Sequence, residues 1–266
     1  MPASPKLLIA AAIAVLVSSA ASASPASACQ KVDPMTAEQI RNADNFNAIG
    51  VDLSSRGDRE RAAEIFLEAT RRYPGYAISW NNAGIGLGIF FGRYEESLPY
   101  FRRAICIDPN FAMAHFFFGT ALYELKEYDA SEAALKRAIQ LQPDYLQAKN
   151  NLASVYLRMG RYKDARRILE ELVARSPGDF IALNNLAAAH FYENDLNKAE
   201  ATFAKLAELF PERHIAQFNL AVVYLYRGKR AEAIRIQRNL LERDAELAET
   251  LYLGIFGDKI LSFRQP

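Results

Sequence analysis

The sequence predicts an all-α protein, a right-handed α-solenoid (superhelix) of tandem helix-turn-helix units. Three observations carry that expectation. Prolines 74, 109, 143, 177 and 211 are spaced by 35, 34, 34 and 34 residues, and a fixed interval of this size marks a repeat architecture. Small residues recur in the same register. With each proline counted as position 32 of a unit, position 8 holds Gly50, Gly84, Gly119, Ala153, Ala187 and Ala221, and position 20 holds Ala62, Ser97, Ser131, Ala165, Ala199 and Ala233. Large residues recur between them, at position 11 (Leu53, Leu87, Leu122, Tyr156, His190, Tyr224) and position 24 (Phe66, Phe101, Leu135, Leu169, Phe203, Gln237). Small side chains let two helices approach closely, and the large ones fill the space around them.

The chain opens with a stretch that reads as an address. Residues 1–28 carry one cation, Lys6, then eleven apolar residues from Leu7 to Val17, then Ala21-Ser22-Ala23 and Ala26-Ser27-Ala28. That order fits a secretory signal peptide cleaved after residue 23 or 28, and hence export, with the bacterial periplasm as the expected compartment. Eleven residues are about half the roughly 20 that span a bilayer. Two alternatives stand beside this reading: an uncleaved N-terminal membrane anchor, and a lipoprotein acylated at Cys29, although Ala26 stands where lipoprotein signals usually carry Leu. The second cysteine, Cys106, sits in the apolar run Ala104–Ile107 and is expected to be a small buried hydrophobe. An oxidising compartment would permit a Cys29–Cys106 bridge without demanding one.

Residues 29–42 form the lead-in, where Thr36-Ala37-Glu38-Gln39 reads as a capping box starting a helix that runs into the first unit. Six units then occupy 43–76, 77–111, 112–145, 146–179, 180–213 and 214–247. The second is one residue longer, and its insertion falls around Gly88 to Gly92. Each unit ends its second helix at the proline, which lacks a backbone N–H, and turns between its helices at Gly57, Gly92, Gly160, Asn194 or Gly228. The sixth departs at Gln237 and Ala245, as a terminal repeat that meets solvent should. Residues 248–266 are expected to form a capping helix, with Leu251 and Ile255 one turn apart, and a tail. The array has no single core to count, and no boundary between two domains is expected.

These residues resemble the tetratricopeptide repeat, a 34-residue helix-turn-helix unit, over 43–247. The resemblance implies a concave groove lined by the first helix of each unit, where the family usually holds protein partners. On that side, position 6 carries Asn82, Asn151, Asn185 and Asn219, and position 5 adds Asn47, Asn81, Asn150 and Asn184. Asparagine has no propensity reason to recur inside helices. Its amide pairs with both polar groups of a peptide bond, which suits an extended polypeptide, and this resembles the asparagine ladder of peptide-holding arrays. It equally suits a neighbouring repeat, which it would pin. Ile181, Phe191, Tyr192, Ile215, Phe218, Val222, Leu225 and Tyr226 add an apolar floor to units four to six, occupied by a protein segment, by another copy of the chain or by the C-terminal tail.

Other functions find little support. Lys and Arg total 32 against 31 Asp and Glu, and removal of residues 1–28 makes the balance even, so the bulk charge does not favour nucleic acid. Positions 2, 5, 6 and 9 hold no Lys or Arg, which disfavours a clamp for terminal carboxylates. Two cysteines and three histidines are too few for a dedicated metal cluster. Gly84 to Gly92 is glycine-rich but lacks the strand that precedes a phosphate loop. No catalytic residue, cofactor or metal is assigned. The expected function is a non-enzymatic exported scaffold or assembly factor, with a structural homo-oligomer as the alternative.

Overall fold

The computed structural model describes residues 33–257. Thirteen α-helices run through them: α1 (Ala37–Ser55), α2 (Arg59–Arg72), α3 (Ala77–Ile85), α4 (Tyr94–Ile107), α5 (Ala112–Glu124), α6 (Tyr128–Leu141), α7 (Leu146–Arg158), α8 (Tyr162–Arg175), α9 (Phe180–Tyr192), α10 (Leu196–Leu209), α11 (His214–Tyr226), α12 (Arg230–Leu240) and α13 (Ala245–Phe256). No strand occurs among the described residues. The chain is an all-α helical-repeat protein.

Local chemistry sets the ends of these helices. Thr36 caps α1 through the reciprocal bonds of a capping box: its hydroxyl accepts from the Gln39 N–H and the Gln39 side chain accepts from the Thr36 N–H. Between the two helices of every unit one residue has positive φ. At four units it is glycine, at the fifth Asn194 (63°), and at the third Lys126 (63°), a side chain that this region disfavours. The N–H after that residue returns to the carbonyl of position 11: Asp58 to Leu53, Glu127 to Leu122, Arg161 to Tyr156, Asp195 to His190 and Lys229 to Tyr224, at 2.8–3.0 Å. Those bonds close each helix with the six-residue geometry of a left-handed cap.

Unit two does this with one residue more. Its bond runs from Arg93 to Leu87 at 3.0 Å, because α3 continues into a π-helical turn at Gly86–Phe90. A π turn absorbs a single inserted residue without breaking the helix. The glycines there serve close packing. A Cβ on Gly84 would lie 2.7 Å from the Phe101 ring, and one on Gly88 3.0 Å from the Ser97 hydroxyl. Three chemically different residues at position 4 share another local device. Trp80, His115 and Gln217 each donate a side-chain N–H to the carbonyl of the preceding proline, at 2.9, 3.1 and 3.2 Å.

The contacts group into two compact units, Met1–Ala148 and Lys149–Pro266. Helical repeats contact only their neighbours, so no central core unites them. In the first unit, Phe66, Leu87 and Tyr100 centre one cluster, and Phe101 and Leu122 another. In the second, Phe180, Phe203, Leu206 and Val223 form one cluster, while Phe218, Val222 and Leu240 form another with Leu251 and Ile255 of α13. Gln237, polar where the other units are apolar, is buried and donates to the Ala248 carbonyl of α13 at 3.4 Å. Cys106 departs from expectation: it is half-buried and disulfide-bonded, not a packed free thiol. Cys29, the expected signal peptide at residues 1–28 and the tail from residue 258 lie outside the described residues.

Candidate functional site

The asparagines lie on the first helices, and the amide N–H groups of several are engaged within each compact unit. In the first, Asn82 Nδ2 donates to Asn47 Oδ1 (3.1 Å), and Asn47 Nδ2 donates to Ser79 Oγ (2.8 Å), tying α1 to α3 across 32 and 35 residues of sequence. In the second, Asn219 Nδ2 donates to Asn184 Oδ1 (2.9 Å), linking α11 to α9, and Asn185 Nδ2 donates to Ser154 Oγ (3.1 Å), linking α9 to α7. Asn150 Nδ2 reaches Asp179 Oδ2 at 3.4 Å. Asn151 is half-buried beside it.

Burial corrects the expected groove floor. Asn219 is fully buried, Asn184 and Asn185 are 2% exposed, Phe218 is 1% exposed and Val222 is fully buried. Side chains so enclosed do not meet a ligand without repacking. For Phe218 and Val222 the reason is α13, whose Leu251 and Ile255 close over α11 as the next repeat would. The amide N–H groups of Asn82, Asn185 and Asn219 face adjacent first helices, since hydrogen-bonding capacity is costly to bury unpaired. The side-chain oxygens of Asn81, Asn150 and Asn185 are buried with no partner among the described residues.

What stays open is a band of apolar side chains at the two ends of α9 and α11. Ile181 is 48% exposed, Tyr192 44% and Tyr226 51%, while Phe191, Ile215 and Leu225 are half-buried. The aromatic members form a continuous row. Tyr162 stacks on Tyr192 (4.9 Å between ring centres, 13° between planes), Tyr192 meets Phe191 edge-on at 5.5 Å, and Phe191 meets Tyr226 edge-on at 4.8 Å. Such pairs hold rings in fixed orientation. Burial raises the Tyr192 phenol above its ordinary range, so it stays a neutral donor. Tyr162 was absent from the expected set because it opens a second helix, whereas the expected groove drew on first helices alone.

Beside the row lies an open pocket of ≈ 350 Å³ lined by Gly160, Arg161, Tyr162, Lys163, Asp164 and Glu193. Three of its four charged side chains are paired: Arg161 with Asp164 at 2.9 Å, and Glu193 with the neighbouring Arg166 at 2.7 Å. The next pair of repeats inverts the signs, Glu200 accepting from Arg227 and Lys229 at 2.7 and 2.8 Å. Among the described residues no three His, Cys, Asp or Glu side chains group as metal ligands, and no helix is long and apolar enough to cross a membrane. Burial lowers the pKa of His115 and of His190, and neither has a nucleophile at hydrogen-bonding distance among its described bonds.

Known proteins resemble this chain in their repeats and fold. One family profile described as a tetratricopeptide repeat matches residues 122–189, and a second of the same description matches 90–145 and 187–248. The chain belongs to the tetratricopeptide-repeat family. As a tetratricopeptide-repeat protein it is a protein-interaction scaffold in general class. An uncharacterized protein of Methanocaldococcus jannaschii is 35% identical over 73 residues, 27% of this chain and 84% of that one. Among solved structures, PilF of Pseudomonas aeruginosa is similar in fold at 18% identity and a TM-score of 0.68, covering 82% of this chain and 99% of its own. YrrB, described as a tetratricopeptide-repeat protein with an unusual peptide-binding site, is similar at 22% identity and a TM-score of 0.56, covering 71% of this chain and 97% of its own.

Proposed function

We propose that this tetratricopeptide-repeat protein is a non-catalytic, exported scaffold or assembly factor that binds an extended polypeptide segment through the open face of α9 and α11. The observation that carries the reading is the continuous aromatic row Tyr162, Tyr192, Phe191 and Tyr226, in which Tyr192 and Tyr226 are exposed and Tyr162 and Phe191 half-buried. Rigid aromatic rings with a polar tip supply large contact area at little entropic cost and dominate protein interfaces. Ile181 and Ile215, at the opposite ends of the same two helices, extend the apolar contact along them. The peptide-binding site ascribed to YrrB, a protein of similar fold, supports the peptide as ligand class. The asparagines have a supporting role: they hold adjacent first helices in register, so the rings stay in line.

The test is capture of partners from the native compartment by the wild-type protein and by a Tyr192→Ala, Tyr226→Ala variant. The reading expects a partner lost by the variant while its thermal midpoint moves by no more than a few degrees. Equal capture by both proteins overturns it. A stable wild-type dimer in light scattering, dissociated by the same two substitutions, transfers the face to the homo-oligomer alternative.

A further inference from the structure

We infer that the segment held by the aromatic row is rich in proline and docks in the polyproline II conformation. The inference rests on the proposed function and names the chemistry of the partner. Its ground is the balance of hydrogen-bonding groups along the row. Tyr162, Tyr192 and Tyr226 carry three phenol hydroxyls as donors within one compact unit. The carboxylates beside them are engaged: Asp164 by Arg161, Glu193 by Arg166, and Glu200 by Arg227 and Lys229. The amide oxygens of Asn150 and Asn185 have no partner but are enclosed.

A segment docking here therefore finds donors for its carbonyls and few open acceptors for its N–H groups. An ordinary extended chain has one N–H for every carbonyl, and those N–H groups would go unpaired wherever contact excludes water, at a cost in free energy. Proline has no N–H. Polyproline II makes no internal hydrogen bonds, so all of its carbonyls remain available to the phenols. Charge agrees with this ligand. With Asp164, Glu193 and Glu200 already matched by cations, the edge complements a segment without strong charge of its own.

The shape of the row fits the same partner. Tyr192 and Tyr226 both stand nearly perpendicular to Phe191, at 82° and 88° between planes, so the row is stepped and not flat. Aromatic-lined grooves of this kind suit the compact rings of a proline-rich segment. The two steps, 5.5 and 4.8 Å between ring centres, set the upper bound on the span from Tyr192 to Tyr226. That span is of the order of one polyproline II turn, roughly 9 Å. Beside Tyr162 the open pocket continues the row. Gly160 presents bare backbone there, and a Cβ on it would lie 3.9 Å from the Tyr162 hydroxyl. A preformed polyproline II segment also loses little chain entropy when it docks on rings that already hold one another.

The experiment is fluorescence anisotropy of a labelled oligoproline peptide of about nine residues, three polyproline II turns, titrated with the full chain. The comparator is the same peptide with alanine at every position. Oligoproline should bind saturably and the alanine peptide about tenfold or more weakly. Tyr192→Ala combined with Tyr226→Ala should weaken oligoproline binding by about tenfold or more. Tyr226→Phe, which keeps the ring and removes the donor, should weaken it by about three- to tenfold. Tyr252→Ala, which removes an exposed ring of α13 outside the row, should leave it unchanged. Absence of saturable binding, equal affinity for the two peptides, undiminished binding by Tyr226→Phe or by the double variant, or an equal loss with Tyr252→Ala each overturn the inference. If capture of a native partner still depends on Tyr192 and Tyr226, the scaffold reading stands and only its ligand class falls. Capture unaffected by the double variant removes the reading as well. The donor test does not depend on how the double variant folds.

Discussion

Replacing Asn219 by Ala separates the two roles open to the asparagines. The side chain is fully buried and its Nδ2 donates to Asn184 Oδ1 at 2.9 Å. Truncation removes the bond and leaves Asn184 Oδ1 without that donor, a loss of about 1–3 kcal/mol. A central value of about 2 kcal/mol corresponds to roughly a 30-fold change in the unfolding constant. It should lower the thermal midpoint by about 4–8 °C for a cooperative unit of this size. Guanidinium and thermal unfolding followed by far-ultraviolet circular dichroism read both quantities. A cycle with Asn184→Ala should show coupling of about 1 kcal/mol, since the two residues share one bond. Ile181→Ala, at a half-exposed site, serves as the control and should change stability far less. A shift below about 0.5 kcal/mol for Asn219→Ala, accompanied by lost partner capture, would refute the pinning argument and return the amide to ligand contact.

Other expectations follow from particular residues. Lys126→Gly relieves a positive-φ lysine where four of the other units have glycine, and should raise stability by about 1 kcal/mol in denaturant unfolding. Gly84→Ala forces a Cβ to 2.7 Å from the Phe101 ring and should cost about 1–3 kcal/mol by the same measurement. Deleting Ile89 from the π turn should restore a 34-residue unit with helical content in circular dichroism unchanged. Acid should destabilise the fold through His115 and His190. Burial, the largest cause at both, lowers their folded pKa, against Asp108 at the first and Asp195 and Glu170 at the second. Below about pH 6.5 the unfolded chain therefore binds more protons, and stability falls as pH drops. His115→Gln, which copies Gln217, and His190→Tyr, which copies Tyr156 and Tyr224, should flatten that fall while leaving the midpoint near pH 8 little changed.

The repeat could be read from the sequence because its chemistry recurs at fixed points. A helix that must stop, a chain that must turn through positive φ and two helices that must touch each admit few residue types. Proline, glycine and alanine therefore appear at constant intervals, and the extra residue of unit two was visible as an interval of 35. Lys126 shows the limit. A left-handed turn does occur there, but no glycine or asparagine announces it.

Which side chains lie open to solvent was decided by tertiary structure. An asparagine amide offers the same donors and acceptor to a ligand and to a neighbouring helix, so spacing could not choose between them. In the packed chain Asn219 Nδ2 lies 2.9 Å from Asn184 Oδ1 in a buried site, a pairing that spacing alone does not reveal. Phe218 and Tyr226 lie on one helix eight residues apart and look alike in sequence. The first is covered by Leu251 and Ile255 of α13, and the second stands half in solvent against Phe191. Helical periodicity determined which face each residue occupies. What covers that face depends on segments tens of residues away, and only the packed chain brings those together.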